Sequence, residues 1–405
     1  MQTIRQDIHV TFRYDVHFVT DAFNPENNLL GRIVEAEEDP AYRRMLTVID
    51  EGLLPHYPDL PERVTAYLSQ RIPSLSPRPA VLVPAGEAAK NDPALVNDLH
   101  AAIQQAGLCR HSYILAIGGG SVLDLAGYAA ATAHRGIRLI RMPTTVLGQN
   151  DSGVGVKNSV NALSAKNFIG TFAPPYAVVN DLSFLPSLSD RDWRSGIAEA
   201  IKVALIKDAA FFDELEANAE RLAPPRRDAH AMARLIYRCA ALHLDHIATS
   251  GDPFETGTSR PLDFGHWSAH QLEQLTDYAL RHGEAVAIGI ALDAAYSHLC
   301  GLLPASDRDR VLDLLDAMGF SLYAPELDAH SDDPEHPGSV FRGLEAFREH
   351  LGGVLTIMLL AGIGRGIEVH EVDLSVYRQA MALLRTRQTG SPVRNAAEHI
   401  VANTP

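Results

Sequence analysis

Cysteine is scarce in this chain, with 3 in 405 residues, at Cys109, Cys239 and Cys300. Their wide spacing argues against a disulfide framework or a thiolate metal site and indicates a reducing compartment, so we expect a cytoplasmic protein. Long apolar runs are also missing. No stretch reaches the roughly 18 apolar residues typical of a membrane span, and the N-terminus has no apolar run typical of a signal peptide. We therefore expect neither feature.

Positive charge is in short supply as well. The chain has 35 Lys and Arg against 50 Asp and Glu, which gives a formal net charge of -15. This balance argues against a nucleic-acid partner, because binding to a phosphate backbone normally requires a basic surface. Any phosphate site must therefore be made positive locally. A hydrophobic content of 46% supports a folded core rather than disorder.

Short apolar segments alternate with helical patterns over the first half of the chain. The strand-like segments are 45–51, 79–86, 112–120, 137–145 and 176–181. Helical stretches separate most of them, and this alternation predicts a mainly parallel sheet covered by helices on both faces. Residues 6–19 alternate between apolar and polar and predict strands before this fold.

From about residue 189 the pattern is helical, with one strand-like run at 354–360. The boundary is expected near residue 187, where LPSLSD reads as a loop followed by a helix cap. We therefore predict an α/β dinucleotide-binding domain over 1–187, including an N-terminal β extension over 1–40. An all-helical metal- and substrate-binding domain would follow over 188–405.

A glycine-rich turn, Gly118-Gly119-Gly120-Ser121, follows a predicted strand and opens a helix. Glycines allow the backbone to approach a pyrophosphate, and a helix N-terminus favours its negative charge. The same turn is also compatible with a simple tight connection. Charged residues at the ends of neighbouring strands favour the nucleotide interpretation, since an acid there can bind a ribose diol; they are Asp50, Glu51, Glu87 and Lys90. Their alternative role is as solvated loop charges.

A possible metal site comes from the second half of the chain. Glu199 and Lys202 lie three apart on a predicted helix and share a face, and His266 and His270 lie four apart and do the same. His282 begins the next helix. One Glu with two His is a suitable donor set for zinc or a similar ion with open positions for substrate oxygens. The chain has 18 histidines, so one such pair alone would indicate little.

The order and spacing of these segments resemble 3-dehydroquinate synthase and the wider sugar-phosphate cyclase superfamily, over roughly residues 45–300. The matching segments are DE (50–51), GExxK (86–90), GGGSVLD (118–124), RG (135–136), PTT (143–145), DSGVGVK (151–157), KNxIGxF (166–172), AExIK (198–202), LDFGHxxxH (262–270) and HGEAVAIG (282–289). The resemblance implies a dinucleotide-binding domain and a helical metal domain with the active site in the cleft between them. It also implies a homodimer.

The resemblance further implies a role for particular residues. The ligands of one divalent metal, zinc or cobalt, would be Glu199, His266 and His282. The residues that contact NAD would be Asp50, Glu87, Lys90, Gly119, Gly120, Ser121, Asp124, Thr144, Thr145 and Lys166. The catalytic residues around a phosphorylated sugar would be Asp151, Lys157, Asn167, Lys202, Asp263 and His270, with Arg135 reaching a phosphate across a dimer interface.

The implied reaction is that of a carbon–oxygen lyase acting on a seven-carbon sugar phosphate. NAD+ would oxidise an alcohol transiently, phosphate would leave, the hydride would return and an intramolecular aldol reaction would close a carbocycle. One alternative is a metal-dependent alcohol dehydrogenase similar to glycerol dehydrogenase, although Lys157, Asn167 and Lys202 form a phosphate-handling set that a simple alcohol does not need. Another is a non-catalytic member, against which the complete ligand set argues.

The chain departs from dehydroquinate-forming members at several aligned positions. Asp263 replaces an asparagine, Asp245 a lysine and Ser259 an arginine, while Arg260 lies one position away from that arginine. Trp267 replaces a small polar residue. An aspartate at the asparagine position also occurs in members that cyclise sedoheptulose 7-phosphate to valiolone-type products. We therefore expect a neutral-headed sugar phosphate, unless Arg260 takes the arginine's role and the chain is a 3-dehydroquinate synthase itself.

Overall fold

The computed structural model describes residues 2–36, 43–163, 165–257, 259–350 and 353–390. The chain divides into two compact units, Met1–Ser187 and Leu188–Pro405, and each is described by itself. Parts of the two predicted domains lie outside the described residues. These parts are residues 1, 37–42, 164, 258, 351–352 and 391–405, and 37–42 includes the end of the predicted β extension.

The first unit contains a parallel sheet and a separate hairpin. The strands of this unit are β1 (Asp15–Val19), β2 (Arg44–Asp50), β3 (Ser76–Pro77), β4 (Val81–Val83), β5 (Tyr113–Gly118), β6 (Arg138–Pro143), β7 (Lys157–Ala162), β8 (Ala165–Phe172) and β9 (Ala177–Asp181). The helices of this unit are α1 (Leu29–Glu35), α2 (Leu60–Arg71), α3 (Ala88–Asn91), α4 (Pro93–Gln105) and α5 (Gly120–Thr132). The main sheet has the order β1-β9-β6-β5-β2-β3, with β4 also paired to β2, and these pairings are parallel. The predicted α/β class is confirmed.

Strand β2 shows why the parallel strands are continuously apolar. Met45 and Ile49 belong to a core cluster that also contains side chains from α1 and α2. Leu46 and Val48 belong to a second cluster with side chains from α4 and α5. Successive side chains of a strand point to opposite faces, so a strand covered on both faces is apolar at most positions.

The N-terminal segment differs from the strands predicted over 6–19. Only Asp15–Val19 forms a strand, and it pairs in parallel with β9 at the edge of the main sheet. Residues 2–14 have no regular secondary structure, and Ile4 and Ile8 are 86% and 82% exposed. Alternation predicts a strand only where one face is buried, and this condition fails before Asp15.

A separate antiparallel hairpin, β7–β8, follows a short π-helical turn at Gly148–Ser152. The sequence patterns did not indicate this hairpin, because β8 is largely exposed and polar residues interrupt both strands. It contains Lys157, Lys166 and Asn167, three of the predicted site residues.

The second unit is mainly helical, as predicted. Its helices are α6 (Asp190–Lys207), α7 (Ala209–Ala217), α8 (Ala219–Leu222), α9 (Ala229–Thr249), α10 (His266–Leu275), α11 (His282–Leu299), α12 (Ala305–Ala317), α13 (Arg342–His350) and α14 (Leu374–Gly390). The strand-like run at 354–360 contributes to an antiparallel hairpin of β10 (Ile357–Gly362) and β11 (Arg365–Val369). In the described part of the chain, no helix is both long and apolar enough to cross a membrane.

Helix α11 forms the centre of the second unit. Every residue from Ala285 to Ser297 is buried, as expected for a helix that is apolar on all sides. Asp293 is the charged residue within this buried stretch. The helix begins at His282, so its N-terminus contributes to the predicted metal site.

Candidate active site

The glycine turn joins β5 to α5. A Cβ on Gly118 would lie 2.8 Å from the Asp50 Cβ, and one on Gly120 would lie 2.8 Å from a serine hydroxyl. A Cβ on Gly119 would make only ordinary contacts, the nearest at 3.5 Å to Thr145 Cγ2. A side chain at Gly118 would therefore collide with its neighbours, whereas a methyl group at Gly119 would fit.

Asp50 supports this turn from the end of β2. Its carboxylate accepts hydrogen bonds from the backbone N–H groups of Gly119 (3.3 Å) and Gly52 (2.9 Å). Burial raises the pKa of Asp50, although these two bonds act in the opposite direction. Strands β4 and β5 pair with β2 on opposite sides. The order in which strands are added to the sheet therefore changes direction at β2. Ligands of open α/β sheets bind outside the carboxyl ends of strands at such a switch point.

The two predicted threonines follow β6 near the same turn. The Thr144 N–H donates to the carbonyl oxygen of Gly118 at 3.0 Å, and Thr144 is buried. The Thr145 hydroxyl accepts from the Gly148 N–H at 3.0 Å. Ser121 lies in the first turn of α5 and is half-buried. These contacts define the turn but leave the predicted NAD contacts a prediction.

Lys90 brings together residues predicted separately for NAD and for substrate. Its ammonium donates to Asp124 Oδ2 (2.6 Å), to Ser159 Oγ (3.1 Å) and to Asn167 Oδ1. Lys90 is only 4% exposed. Ser159 was not predicted, and it also donates to Asn167 Oδ1 at 2.9 Å. The cluster connects α3, α5 and the β7–β8 hairpin.

A second polar cluster links α3 to the same hairpin. Lys166 Nζ lies 3.5 Å from Glu87 Oε1. The Asn161 amide donates to Glu87 Oε2 at 3.1 Å, and Asn161 Oδ1 accepts from the Asn167 N–H at 2.8 Å. Asn161 was not predicted from the sequence, since nothing in a polar hairpin marks one amide as a bridge.

Arg141 organises the DSGVGVK segment (151–157), and the sequence reasoning missed it. The guanidinium is fully buried and donates to the carbonyl oxygens of Gly153 (3.1 Å), Gly155 (2.7 Å) and Lys157 (2.8 Å), and to Asn158 Oδ1 (2.6 Å). The available signal was a charged residue inside the apolar strand IRLIRMP. Buried charges are normally paired or hydrogen-bonded, so Arg141 should have been expected to have buried acceptors.

The remaining predicted residues of the first unit lie at its surface or partly buried. Asp151 is half-buried in the π-helical turn. Lys157 begins β7 with an exposed side chain. Arg135 is exposed in the turn Ala133–Arg135 after α5, with a φ of 62°.

The structure brings the three predicted metal ligands together in the second unit. Glu199 Oε1 lies 3.1 Å from His282 Nε2 and 3.6 Å from His266 Nε2. Glu199 has no exposed surface, and one ligand atom from each residue falls within 4.8 Å of the others. Lys202 Nζ lies 2.6 Å from Glu199 Oε2. One carboxylate and two imidazoles are a suitable donor set for a divalent ion.

The outer nitrogens of the two ligand histidines have partners. His266 Nδ1 lies 3.1 Å from the Phe264 carbonyl oxygen, and His282 Nδ1 lies 3.2 Å from Glu273 Oε2. Each Nε2 therefore faces Glu199. Metal-binding histidines typically use the second ring nitrogen in this way, which fixes the ring and its tautomer. Glu273 was missed, although it lies three residues after His270 on the same helix face.

Electrostatics keep Glu199 in the form that a metal ligand needs. Burial alone would raise the pKa of this carboxyl. Lys202 and His266 lower it by a larger amount, so the pKa of Glu199 lies well below its ordinary value. The carboxylate is therefore ionised without a metal, and a ligand must be deprotonated to bind one. His270 is half-buried, and its ring centroid lies 5.4 Å from that of His266 and 5.9 Å from that of His282.

Ser259, at the position expected for the family's arginine, and the neighbouring Arg260 both form hydrogen bonds within the protein. The Arg260 guanidinium donates to the carbonyl oxygens of Gly257 (2.9 Å), Ser259 (2.9 Å) and Glu255 (2.6 Å). Its Nε lies 3.3 Å from Glu255 Oε2, and the side chain is 9% exposed. The Ser259 hydroxyl donates to a carboxylate oxygen of Glu368 on β11. Arg260 is therefore engaged by its own loop.

Two of the positions expected to differ from dehydroquinate-forming members carry aspartates. Asp263 is half-buried at the end of the turn Pro261–Asp263. Asp245 is exposed on α9. Neither position supplies a cation.

Known proteins resemble this chain over most of its length. Family models described as 3-dehydroquinate synthase N-terminal and C-terminal match residues 80–195 and 196–332. The 3-dehydroquinate synthase of Pelobacter propionicus is 37% identical over 291 residues, which cover 72% of this chain and 77% of that protein. The structure of 2-epi-5-epi-valiolone synthase from Streptomyces hygroscopicus, with NAD+ and Zn2+ bound, is 30% identical with a TM-score of 0.83, covering 95% of this chain and 100% of that one. The fold is shared with 2-deoxy-scyllo-inosose synthase at 23% identity and a TM-score of 0.71, over 90% and 95% of the two chains. The matched family models and the identity to curated members show that the chain belongs to the 3-dehydroquinate synthase family.

Proposed function

We propose that this protein is an NAD- and divalent-metal-dependent sugar-phosphate cyclase. It removes phosphate from a seven-carbon sugar phosphate and closes a carbocycle by an intramolecular aldol reaction. The observation that carries the proposal is the buried cluster of ionised Glu199 with Lys202, His266 and His282. Family membership and the NAD+ and Zn2+ in the valiolone synthase structure support the same reaction class.

The residues of the second unit fit a divalent ion such as zinc or cobalt. Glu199, His266 and His282 would be its ligands, and the bound ion would polarise an oxygen of the substrate. Lys202 adds a fixed positive charge in the same dry cluster, where it stabilises negative charge that develops on the substrate. His270 presents an imidazole near both histidines, a group suited to proton transfer near neutral pH.

The first unit supplies the groups proposed for the nucleotide. The room beside Gly119 and the N-terminus of α5 suit a pyrophosphate, and Asp50 lies at the switch point where a ribose would be expected. When bound there, NAD supplies hydride transfer. Lys90, Asp124 and their partners fix the surrounding wall. Thr144, Thr145, Ser121, Glu87 and Lys166 remain proposed contacts.

We propose that four further residues bind the substrate. Lys157 and Asn167 would bind the phosphate, and Asp151 and Asp263 would bind sugar hydroxyls. Lysine suits a phosphate as a compact positive charge. We also propose a homodimer, in which the exposed Arg135 would reach a phosphate across the subunit interface.

The side chains of Ser259, Arg260 and Asp263 favour a substrate without a carboxylate. A carboxylate in a closed site needs a positive partner, usually a bidentate arginine. Ser259 bonds instead to the acidic Glu368, and the Arg260 donors are used by its own loop. Asp263 adds negative charge. Sugar hydroxyls can donate to carboxylates, whereas a substrate carboxylate would be repelled, so sedoheptulose 7-phosphate is the preferred candidate.

The reaction class can be tested with purified protein, NAD+, Zn2+ or Co2+, and a panel of seven-carbon sugar phosphates. We expect phosphate release in proportion to a carbocyclic product detected by NMR, with no accumulation of NADH. Omission of NAD+ should abolish the reaction. Stoichiometric NADH without phosphate release would contradict a cyclase and would indicate a net dehydrogenase.

A further inference from the structure

Helix α11 contains a buried carboxylate that the proposed reaction does not use. Asp293 has no exposed surface. It accepts hydrogen bonds from the Trp267 indole N–H (3.0 Å), the Tyr377 hydroxyl (3.0 Å) and the Gly265 backbone N–H (3.1 Å). A buried carboxylate with three donors forms a defined polar network inside an otherwise apolar core.

Two of these donors flank a proposed metal ligand. Gly265 immediately precedes His266 and Trp267 immediately follows it, so one carboxylate fixes the residues on both sides. His266 is also the first residue of α10, and its Nδ1 faces the Phe264 carbonyl oxygen at 3.1 Å. Any movement of this turn would change the direction of the His266 ring.

The backbone around Gly265 makes this attachment rigid. Gly265 has a φ of 78°, and a Cβ there would lie 2.7 Å from the Ile290 backbone nitrogen. A Cβ on Gly289 would lie 1.9 Å from the Gly265 carbonyl oxygen. The turn therefore rests directly on the backbone of α11, and Asp293 binds it one helical turn farther along.

Trp267 explains why an acceptor is needed at this place. Its side chain is only 1% exposed. Its ring stacks on Phe341 at 6.4 Å and meets Tyr377 edge-on at 5.0 Å. A buried indole N–H normally requires a hydrogen-bond partner, and Asp293 provides it.

We propose that Asp293 is a positioning residue for the metal centre, which fixes His266 through Gly265 and Trp267. Helix α11 would then provide one ligand directly, His282, and orient a second through Asp293. The inference rests on the metal site of the proposed function. Replacing a group that supports a metal ligand typically lowers metal affinity by about 10- to 100-fold.

The test compares three variants in metal-free protein. Asp293→Asn introduces an amide NH2 that cannot accept a hydrogen bond, and Trp267→Phe removes only the indole donor from the network. Ser297→Ala is the matched control, because this buried hydroxyl on α11 bonds to the Asp293 carbonyl (2.6 Å) and to the Leu360 N–H (3.1 Å). Zn2+ affinity is measured by competition with a chelating indicator, and ligand geometry by the visible spectrum of bound Co2+.

We expect Asp293→Asn and Trp267→Phe to weaken Zn2+ binding by about 10- to 100-fold and to shift the Co2+ spectrum. Their effects should be less than additive in the double variant, because both disturb the same hydrogen-bond network around Asp293. Ser297→Ala should lower the melting temperature while leaving the affinity and spectrum close to those of the wild type.

Wild-type affinity and spectrum in Asp293→Asn would overturn the inference, even if that variant is less stable. If Asp293→Asn does not fold, Trp267→Phe decides the question by the same criteria. Binding of neither metal by the wild type would reject the metal site of the proposed function and this inference with it. Unchanged binding by the variants of a metal-binding wild type would reject the inference alone.

Discussion

At the scale of single residues, the proposed metal site depends on the charge of Glu199. Its carboxylate lies 2.6 Å from the Lys202 ammonium, and both side chains are buried. We predict that Glu199→Gln abolishes metal binding. We also predict that it lowers the unfolding free energy of the metal-free protein by about 3 kcal/mol, because removing one partner leaves a buried charge without its counterion. Elemental analysis and denaturant unfolding measure the two effects.

Lys202→Met supplies the control for that prediction. In the Glu199→Gln background it removes the remaining charge, so part of the stability should return while the metal stays absent. Full metal occupancy in Glu199→Gln would rule out Glu199 as an essential ligand.

The glycine turn gives a second prediction at this scale. Gly119→Ala adds a methyl group that meets only ordinary contacts, whereas Gly118→Ala adds one 2.8 Å from the Asp50 Cβ. We predict that Gly119→Ala keeps the wild-type melting temperature and weakens NAD binding by about tenfold or more, because the methyl group occupies the space proposed for the pyrophosphate. Calorimetric titration with NAD+ measures this.

Gly118→Ala is the matched comparison. Overpacking should lower its unfolding free energy by about 1–3 kcal/mol. Equal NAD affinity in Gly119→Ala and the wild type would contradict the proposed place of the nucleotide.

Residue chemistry and spacing suggested a metal site of one Glu and two His, and the family resemblance selected Glu199, His266 and His282 as the proposed ligands. Neither could identify their supporting partners. The roles of Arg141, Glu273 and Asp293 depend on contacts between segments far apart in the chain. For Arg141 and Asp293 the local signal was a charged residue inside an apolar strand or helix, and such a residue shows that partners are needed without identifying them.

At the scale of elements, α11 connects stability to pH through Asp293. Burial raises the pKa of Asp293 to about 7, although the donors Trp267, Tyr377 and Gly265 oppose the rise. Burial also raises the pKa of the facing Tyr377 hydroxyl, which therefore stays neutral. The ordinary value for Asp293 is 3.8, so the folded state binds this proton more tightly than the unfolded chain does. Its contribution, up to about 4 kcal/mol, is complete below about pH 4 and is lost as the pH rises to 7.

We therefore predict that the unfolding free energy of metal-free wild type, relative to Asp293→Asn, falls between about pH 4 and pH 7 and is constant above that range. Denaturant unfolding of both proteins in the presence of a chelator measures the difference. A difference that does not change with pH would contradict the raised pKa.

The elements that the sequence predicted well are the buried ones. The apolar runs of β2 and β5 and the mainly apolar α11 have to be buried, and this requirement is visible within each segment alone. The β7–β8 hairpin is mostly polar and exposed, so its pairing could not be read from hydrophobic periodicity. The N-terminal alternation over 6–19 was misleading, since Ile8 and Val10 follow a strand pattern but are exposed.

At the scale of the whole molecule, two matched regions show the family, while we propose that a few side chains decide the substrate. Ser259, Arg260 and Asp263 are the residues that this proposal places near the expected carboxylate. Family resemblance could predict the α/β and helical parts and the reaction class. It could not predict that Arg260 is engaged by Glu255 and loop carbonyls, because those contacts depend on the conformation of one loop.

A comparison of kcat/KM for two substrates tests the central claim most directly. The substrates are sedoheptulose 7-phosphate and the carboxylated seven-carbon sugar phosphate that dehydroquinate synthases use, each measured with NAD+ and Zn2+ for the wild type and Arg260→Ala. We predict that sedoheptulose 7-phosphate is preferred by about 100-fold, since a buried carboxylate without a cation costs several kcal/mol. Arg260→Ala should leave this preference in place. A preference for the carboxylated sugar that disappears in Arg260→Ala would contradict the account and identify the protein as a 3-dehydroquinate synthase.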